Sequence, residues 1–241
     1  MDFRILIEIL KSFFLLNSLK ETWYNIYDNQ YQSEEAMFEH FLENFRKPED
    51  NFAGRLMLMS MNRGHEKLAK WGRSYIKINK EDAVLDLGCG GGRNINYFLT
   101  QGAKVYGMDH SQTSVNMASE RNKEAIKSGR CQILVGDVKH LPFEDESMAI
   151  VTAFETIYFW NDIEACFKEI YRVLNKGGQF LICNEVSSMK RSDVRILAKK
   201  ITMEVYTPDD LTNMLTKAGF SCDYHLDRKE QLAFIAKKKI I

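Results

Sequence analysis

A chain of 241 residues accommodates one large domain, or one domain with an appendage, and its 45% hydrophobic content supplies a full core. With 33 Lys plus Arg against 33 Asp plus Glu, the net charge is zero, which weighs against a broad nucleic-acid surface. The five cysteines form no CxxC pair and no Cys/His cluster with zinc spacing, so reduced thiols in a cytoplasmic protein and no metal site are expected.

The chain opens with MDFRILIEILKSFFLLNSL. Arg4, Glu8 and Lys11 interrupt this apolar run, and a membrane span needs roughly 20 mostly apolar residues. Phe3, Leu6, Ile7, Leu10 and Phe14 follow helical spacing instead. The expectation is an amphipathic helix that packs on the main domain or on a second copy, compatible with a homodimer. A further helix is expected from Ser33, ending before Pro48, and the helical pattern continues to about residue 75. Residues 1–75 are therefore taken as a helical extension or lid, and 76–241 as the main domain.

From residue 82 the pattern changes. AVLDLGC is a short apolar strand that runs into glycines, and GRNINYFLTQG follows as a helix. KVYGMDH, CQILVGD, MAIVTAFE and QFLICNEV read as further strands. Between them lie helices capped by Ser111 and running over DIEACFKEIYRVLNKGG, and TPDDLTNMLTKAGF opens with Thr207 as cap and Pro208 in the first turn. This alternation implies a parallel sheet covered on both faces. SCDYHLD and QLAFIAKK stand too close together for a parallel crossover, so they form an antiparallel hairpin.

Gly88, Gly90, Gly91 and Gly92 lie beyond the first strand, where open α/β sheets bind ligands. Glycine lets the backbone turn sharply and approach a ligand closely. The dinucleotide fingerprint fails, because its third glycine position is Arg93, and no Gly-Lys-Ser/Thr ending marks a phosphate loop. Asp86 would repel a pyrophosphate and suits an ammonium. Asp109, 23 residues later at the end of the second strand, can accept the hydroxyls of a ribose. Asp137, ending the third strand, can accept from an exocyclic amine, with Val138 and Leu141 placed to pack against a base. A ligand with an amine, a ribose and an adenine, lacking a pyrophosphate, fits these positions.

VLDLGCGGGR, VYGMDHS, GDVKHLPFEDESMAIV and EIYRVLNKGGQFLICNE resemble, in order and spacing, the motifs of class I S-adenosylmethionine-dependent methyltransferases. The likeness is to the small-molecule group that includes the quinone-biosynthesis type, the methyltransferase type 11-like group, and it covers about residues 70 to 237. It implies a Rossmann-like α/β fold, with a seven-stranded, mostly parallel sheet and an antiparallel final strand. It also implies S-adenosyl-L-methionine as cofactor, S-adenosyl-L-homocysteine as product and a small-molecule methyl acceptor.

Carried over by residue, the resemblance sets Asp86 and Gly88, Cys89 and Gly90 against the methionine part of the cofactor. Asp109 would hold the ribose, His110 would flank the adenine, and Asp137 with Val138 would contact it. Phe154 and Glu155 would border the sulfonium and the substrate. Glu155 is expected either to hold the cofactor's amine or to act as base. Tyr158, Phe159 and Trp160 offer aromatic faces to a sulfonium or a flat substrate, or belong to the core. His65 sits on one helix face with Met61 and Leu68, as a packing residue or as a base. Glu155, His65 and Tyr158 form the candidate catalytic set. Three rival readings stand beside this one: a non-catalytic cofactor-binding protein, a nicotinamide oxidoreductase, and a protein or nucleic-acid methyltransferase. Amino-group methylation of bases or glutamine would lead one to expect an Asn/Asp-Pro-Pro-Tyr segment, where this chain has Ala153-Phe154-Glu155-Thr156.

Overall fold

The computed structural model describes residues 65–240. The N-terminal amphipathic helix, the helix from Ser33 and most of the expected lid lie outside the described residues.

The described chain begins with helix α1 (Glu66–Arg73). Strand β1 (Ala83–Leu87), helix α2 (Arg93–Thr100), strand β2 (Lys104–Asp109) and helices α3 (Gln112–Arg121) and α4 (Lys123–Lys127) follow. Then come β3 (Cys131–Val135), β4 (Met148–Phe154), a single 3-10 turn over Ile157–Phe159, α5 (Ile163–Val173) and β5 (Leu174–Asn184). Helices α6 (Ser192–Lys200) and α7 (Pro208–Lys217) precede β6 (Phe220–Leu226) and β7 (Leu232–Lys238).

The seven strands form one sheet in the order β3-β2-β1-β4-β5-β7-β6. Strand β7 runs antiparallel to both of its neighbours, β5 and β6, and the other pairings are parallel. The short link before β7 forces this reversal, as the sequence requires. The order reverses between β1 and β4, so the loops after these two strands face each other across the switch point.

Strand alternation sends side chains to two cores. Leu85, Leu87, Val151, Phe180 and Ile182 meet Phe167, Ile170, Leu211 and Leu215 of α5 and α7. Val84, Val105 and Leu181 meet Ile95 and Phe98 of α2 and Ala118 of α3. Each of these larger side chains contributes roughly 1.5–3 kcal/mol by leaving water. Caps fix the helix starts. Ser111 Oγ accepts the Ser114 N–H, and Thr207 with Asp210 closes a reciprocal box ahead of α7.

One boundary differs from expectation. The helix expected to run to the Gly177-Gly178 pair stops at Val173. Leu174 is fully buried and already extended, and it pairs with Met148. The next paired positions are Ile150 and Gln179, so Asn175–Gly178 bulges out of the ladder. Burial of Leu174 overrides the helical pattern that LNK continues.

Candidate active site

The glycine loop is held from behind by β2. The N–H groups of Gly88 and Cys89 both donate to Met108 O, at 2.8 and 3.1 Å. Gly90 N–H donates to Asp109 Oδ2 at 2.9 Å, and Ser111 N–H donates to Asp109 Oδ1 at 2.9 Å. Asp109 is thus buried at the base of the loop and shapes it. Gly88, Gly90 and Gly92 all take the left-handed backbone, with φ of 67°, 50° and 72°. A Cβ on Gly88 would lie 2.6 Å from Thr156 Oγ1, so the β1 and β4 loops touch at that point. A Cβ on Gly90 would meet nothing within 4 Å, which leaves open space above that residue.

Asp86 is buried beneath the loop. Its Oδ1 accepts from Thr152 Oγ1 at 2.7 Å, while Oδ2 has no hydrogen-bond partner. Burial pushes its pKa up to about 7, against the opposing pull of the Thr152 bond and the Arg73 charge. Arg73, at the end of α1, is 6% exposed and was not foreseen from sequence. Its Nη1 donates to Asn94 Oδ1 at 2.7 Å and its Nη2 to Glu66 Oε1 at 3.0 Å, while Nε has no partner. The guanidinium lies 4.0 Å over the Tyr97 ring. Glu66 also holds Arg93 Nε at 2.7 Å, tying α1 to the first turn of α2. A buried carboxylate and a buried guanidinium, each with an unspent polar atom, fit the ammonium and carboxylate of a methionine moiety. The residues present therefore suit S-adenosylmethionine.

The adenine side is more open. His110 is exposed, with Nδ1 3.5 Å from Asp109 Oδ1. Asp137 is exposed, and its Oδ1 accepts the Lys139 N–H at 3.0 Å. Val138 is half-buried, whereas Leu141 is buried in the core and is not available to a base. This loop is clamped by two residues that sequence reasoning passed over. Arg172 donates to the carbonyls of Leu141 and Phe143 at 3.0 and 2.8 Å. Glu169 Oε2 accepts the Leu141 N–H at 3.0 Å and pairs with Arg172. Their only advance signal was the EIYR spacing within the helix.

Glu155 follows β4 in a left-handed conformation, φ 60°. Its N–H donates to Cys183 O at 2.9 Å, and its Oε1 accepts the N–H of Glu185. Burial, then the charge of Glu185, holds the Glu155 carboxyl well above the usual carboxylate range. Glu185 was not singled out from sequence. Its Oε2 lies 3.9 Å from His65 Nε2, and its Oε1 accepts from Gln231 Nε2 at 3.5 Å. Burial lowers the His65 pKa to about 4, so the imidazole is neutral at pH 7. Tyr158 hydroxyl donates to Val186 O at 3.0 Å and accepts the Val186 N–H at 2.9 Å. Phe154 packs toward α1 and Cys183, and Trp160 Nε1 donates to Thr156 Oγ1 at 2.8 Å. Glu155, His65 and Tyr158 are thus brought to one place. Asp86, Asp109 and the glycines are brought to an adjoining one. The five cysteines are all free thiols, and Cys89 and Cys183 are buried with pKa values pushed well up, so they are inert.

The reversed strand β7, the switch-point glycine loop and the acidic residues at the strand ends give the described residues the fold of class I S-adenosylmethionine-dependent methyltransferases. Residues 85–182 match the family described as methyltransferase domain. The chain is 26% identical over 144 residues to sterol 4-C-methyltransferase strm-1 of Caenorhabditis elegans, covering 60% of this chain and 42% of that protein. It is 32% identical over 102 residues to demethylmenaquinone methyltransferase of Thermobifida fusca, covering 42% of this chain and 43% of the relative. The chain thus spans about two fifths of the length of these curated relatives. Geranyl diphosphate C-methyltransferase from Streptomyces coelicolor A3(2), solved with S-adenosylhomocysteine, shares the fold with a TM-score of 0.61 at 14% identity, over 79% of this chain and 85% of that one. No helix among the described residues is long and apolar enough to cross a membrane.

Proposed function

We propose that this protein transfers a methyl group from S-adenosylmethionine to a small, largely apolar acceptor by in-line displacement, with Glu155 receiving the acceptor's proton. The observation that carries this reading is the position of Glu155. It stands one residue from Thr156, which abuts Gly88 of the cofactor loop, and its carboxyl group clusters with His65 and Glu185. The cofactor supplies a methyl carbon already activated by a sulfonium. The chain's task is to orient the acceptor, exclude water and move one proton.

Glu155 performs the last of these. Its raised pKa makes it a stronger base, when ionised, than an exposed glutamate. Tyr158 acts as a positioning residue, because its hydroxyl is committed to the Val186 backbone and fixes the start of the segment after Glu185. Arg73 and Asp86 are assigned to the methionine end, Asp109 and His110 to the ribose and adenine, and Asp137 with Val138 to the adenine. Phe159 and Trp160, half-buried in the turn that follows Glu155, are assigned to the apolar wall. The named relatives act on a sterol, demethylmenaquinone and geranyl diphosphate, which favours an apolar, isoprenoid-bearing acceptor for this chain as well.

The test is transfer of labelled methyl from S-adenosylmethionine across a panel of sterols, prenylated quinone precursors and prenyl alcohols. Glu155→Gln should lower turnover by about 100-fold or more, the usual worth of a positioned base. Its affinity for S-adenosylhomocysteine should stay within threefold of wild type. Undiminished turnover in Glu155→Gln would remove the carboxylate from the mechanism.

A further inference from the structure

His65, Glu155 and Glu185 come from three separate segments: the start of α1, the end of β4 and the end of β5. One donor atom from each lies within 4.8 Å of the other two. We infer that this His-Glu-Glu cluster is a binding site for a divalent transition-metal cation of the zinc or manganese type, placed on the acceptor side of the methyl-transfer site.

The donor set carries the argument. One imidazole nitrogen and two carboxylate oxygens suit borderline divalent metals, which accept nitrogen and oxygen together. All three residues are half-buried, so this is not a solvated acidic patch. An imidazole nitrogen is the commonest protein ligand for metals of this kind. A dication bound between Glu155 and Glu185 would hold both carboxyl groups in the ionised form.

The backbone around each donor is already fixed. Glu155 is locked by its N–H bond to Cys183 O, and His65 O accepts the Ala69 N–H at 2.8 Å in the first turn of α1. Gln231 supports Glu185 from outside through Nε2. Such outer partners orient ligands in metal sites. Three protein donors leave a coordination position open, as catalytic rather than structural metal sites do. An acceptor hydroxyl or thiol at that position would be acidified by the cation. The sequence gives no hint of this site, because its members are separated by 90 and 30 residues and share no motif.

The consequence for catalysis rests on the methyl-transfer reading, but the binding does not. The 241-residue chain, stripped with a chelator and dialysed, is titrated calorimetrically with Zn2+ and with Mn2+. The expected result is one saturable site per chain in the micromolar range or tighter. His65→Ala and Glu185→Gln should each weaken it at least tenfold while S-adenosylhomocysteine binding stays within threefold, which also certifies the fold. Should either variant fail to fold, Co2+ titration of the wild-type chain is decisive, since ligation by one nitrogen and two carboxylates produces visible d–d bands that Zn2+ abolishes. No saturable binding of Zn2+ or Mn2+, absence of the Co2+ bands, or binding unchanged in folded His65→Ala and Glu185→Gln would each overturn the assignment. Loss of metal binding with methyl transfer intact would leave the enzyme reading standing. Metal binding without any methyl transfer would do the reverse.

Discussion

Asp109 Oδ2 accepts the backbone N–H of Gly90 at 2.9 Å, so the residue assigned to the ribose also fastens the glycine loop. Its second oxygen accepts the Ser111 N–H at the start of α3. One carboxylate therefore joins two ligand-facing segments and is itself 7% exposed. Removing it leaves two N–H groups short of partners in a buried place.

Asp109→Ala should accordingly cost both stability and affinity. Each abandoned N–H is worth about 1–3 kcal/mol when water cannot reach it. Thermal melting should report that loss without ligand, and titration with S-adenosylhomocysteine should show at least a tenfold weaker Kd. Asp109→Asn retains an acceptor for one of the two N–H groups and should fall between. A variant that binds normally would detach Asp109 from the ribose.

Asp86 predicts a pH dependence with a defined sign. Its folded pKa, about 7, stands above the unfolded value of 3.8. Below the unfolded value its contribution to stability is fully present, and it is lost as pH rises through about 7. The ligand-free protein should therefore lose stability from about pH 4 to pH 7 and level off above that, and Asp86→Asn should flatten the slope. Binding runs the other way, because the ligand's ammonium selects the ionised carboxylate. From pH 6 to pH 8 the Kd for S-adenosylhomocysteine should tighten about tenfold, the yield of one linked proton titrating near 7. A Kd that is flat with pH would place the ammonium elsewhere.

Much of this site was legible because its signals are local. A strand that ends in Asp and runs into glycines, with a helix beginning at once, is written within VLDLGCGGGRN. Asp109 ends the next strand and Asp137 stands two residues beyond β3, so the acidic positions recur at this edge of the sheet although Asp137 lies in the loop and not, as the sequence suggested, in the strand. The reversed β7 was legible from a link too short for a crossover. What stayed hidden depends on sheet order. Arg73 meets the underside of β1 only because α1 lies against β5 and reaches the switch point, and Glu185 meets Glu155 only because β4 and β5 are neighbours. The stop of α5 at Val173 was hidden for a different reason: the burial of Leu174 is a tertiary fact that helical periodicity does not contain.

Gly88 and Gly90 should respond differently to the same substitution. Both have positive φ, which costs an L-residue about 1–2 kcal/mol. Gly88→Ala adds a steric conflict with the Thr156 side chain, so it should destabilise the fold by more than that strain alone. Gly90→Ala meets open space and should show only the strain. The new methyl would nonetheless enter the volume assigned to the ligand. Gly90→Ala should therefore lose at least tenfold in S-adenosylhomocysteine affinity with a small fall in Tm, while Gly88→Ala should lower Tm markedly. Equal Tm losses in the two variants would contradict the contact between the β1 and β4 loops.

Arg172 gives the last test, because its role is in shape as much as in charge. It bonds two carbonyls of the Asp137–Asp145 loop while pairing with Glu169 and with Asp145 at 2.8 Å. Only a planar fork with several fixed donors can serve all of these at once. Lysine keeps the charge and loses the fork. Arg172→Lys should therefore cost about 1–3 kcal/mol, the worth of charge-assisted bonds to partly buried groups. It should also weaken S-adenosylhomocysteine binding, since Asp137 and Val138 lie on the loop that it clamps. Hydrogen exchange localises the effect: protection of the Leu141 N–H, held by Glu169, should fall while that of Met108 in β2 does not. An unchanged Leu141 amide in Arg172→Lys would show that Glu169 holds the loop without its partner.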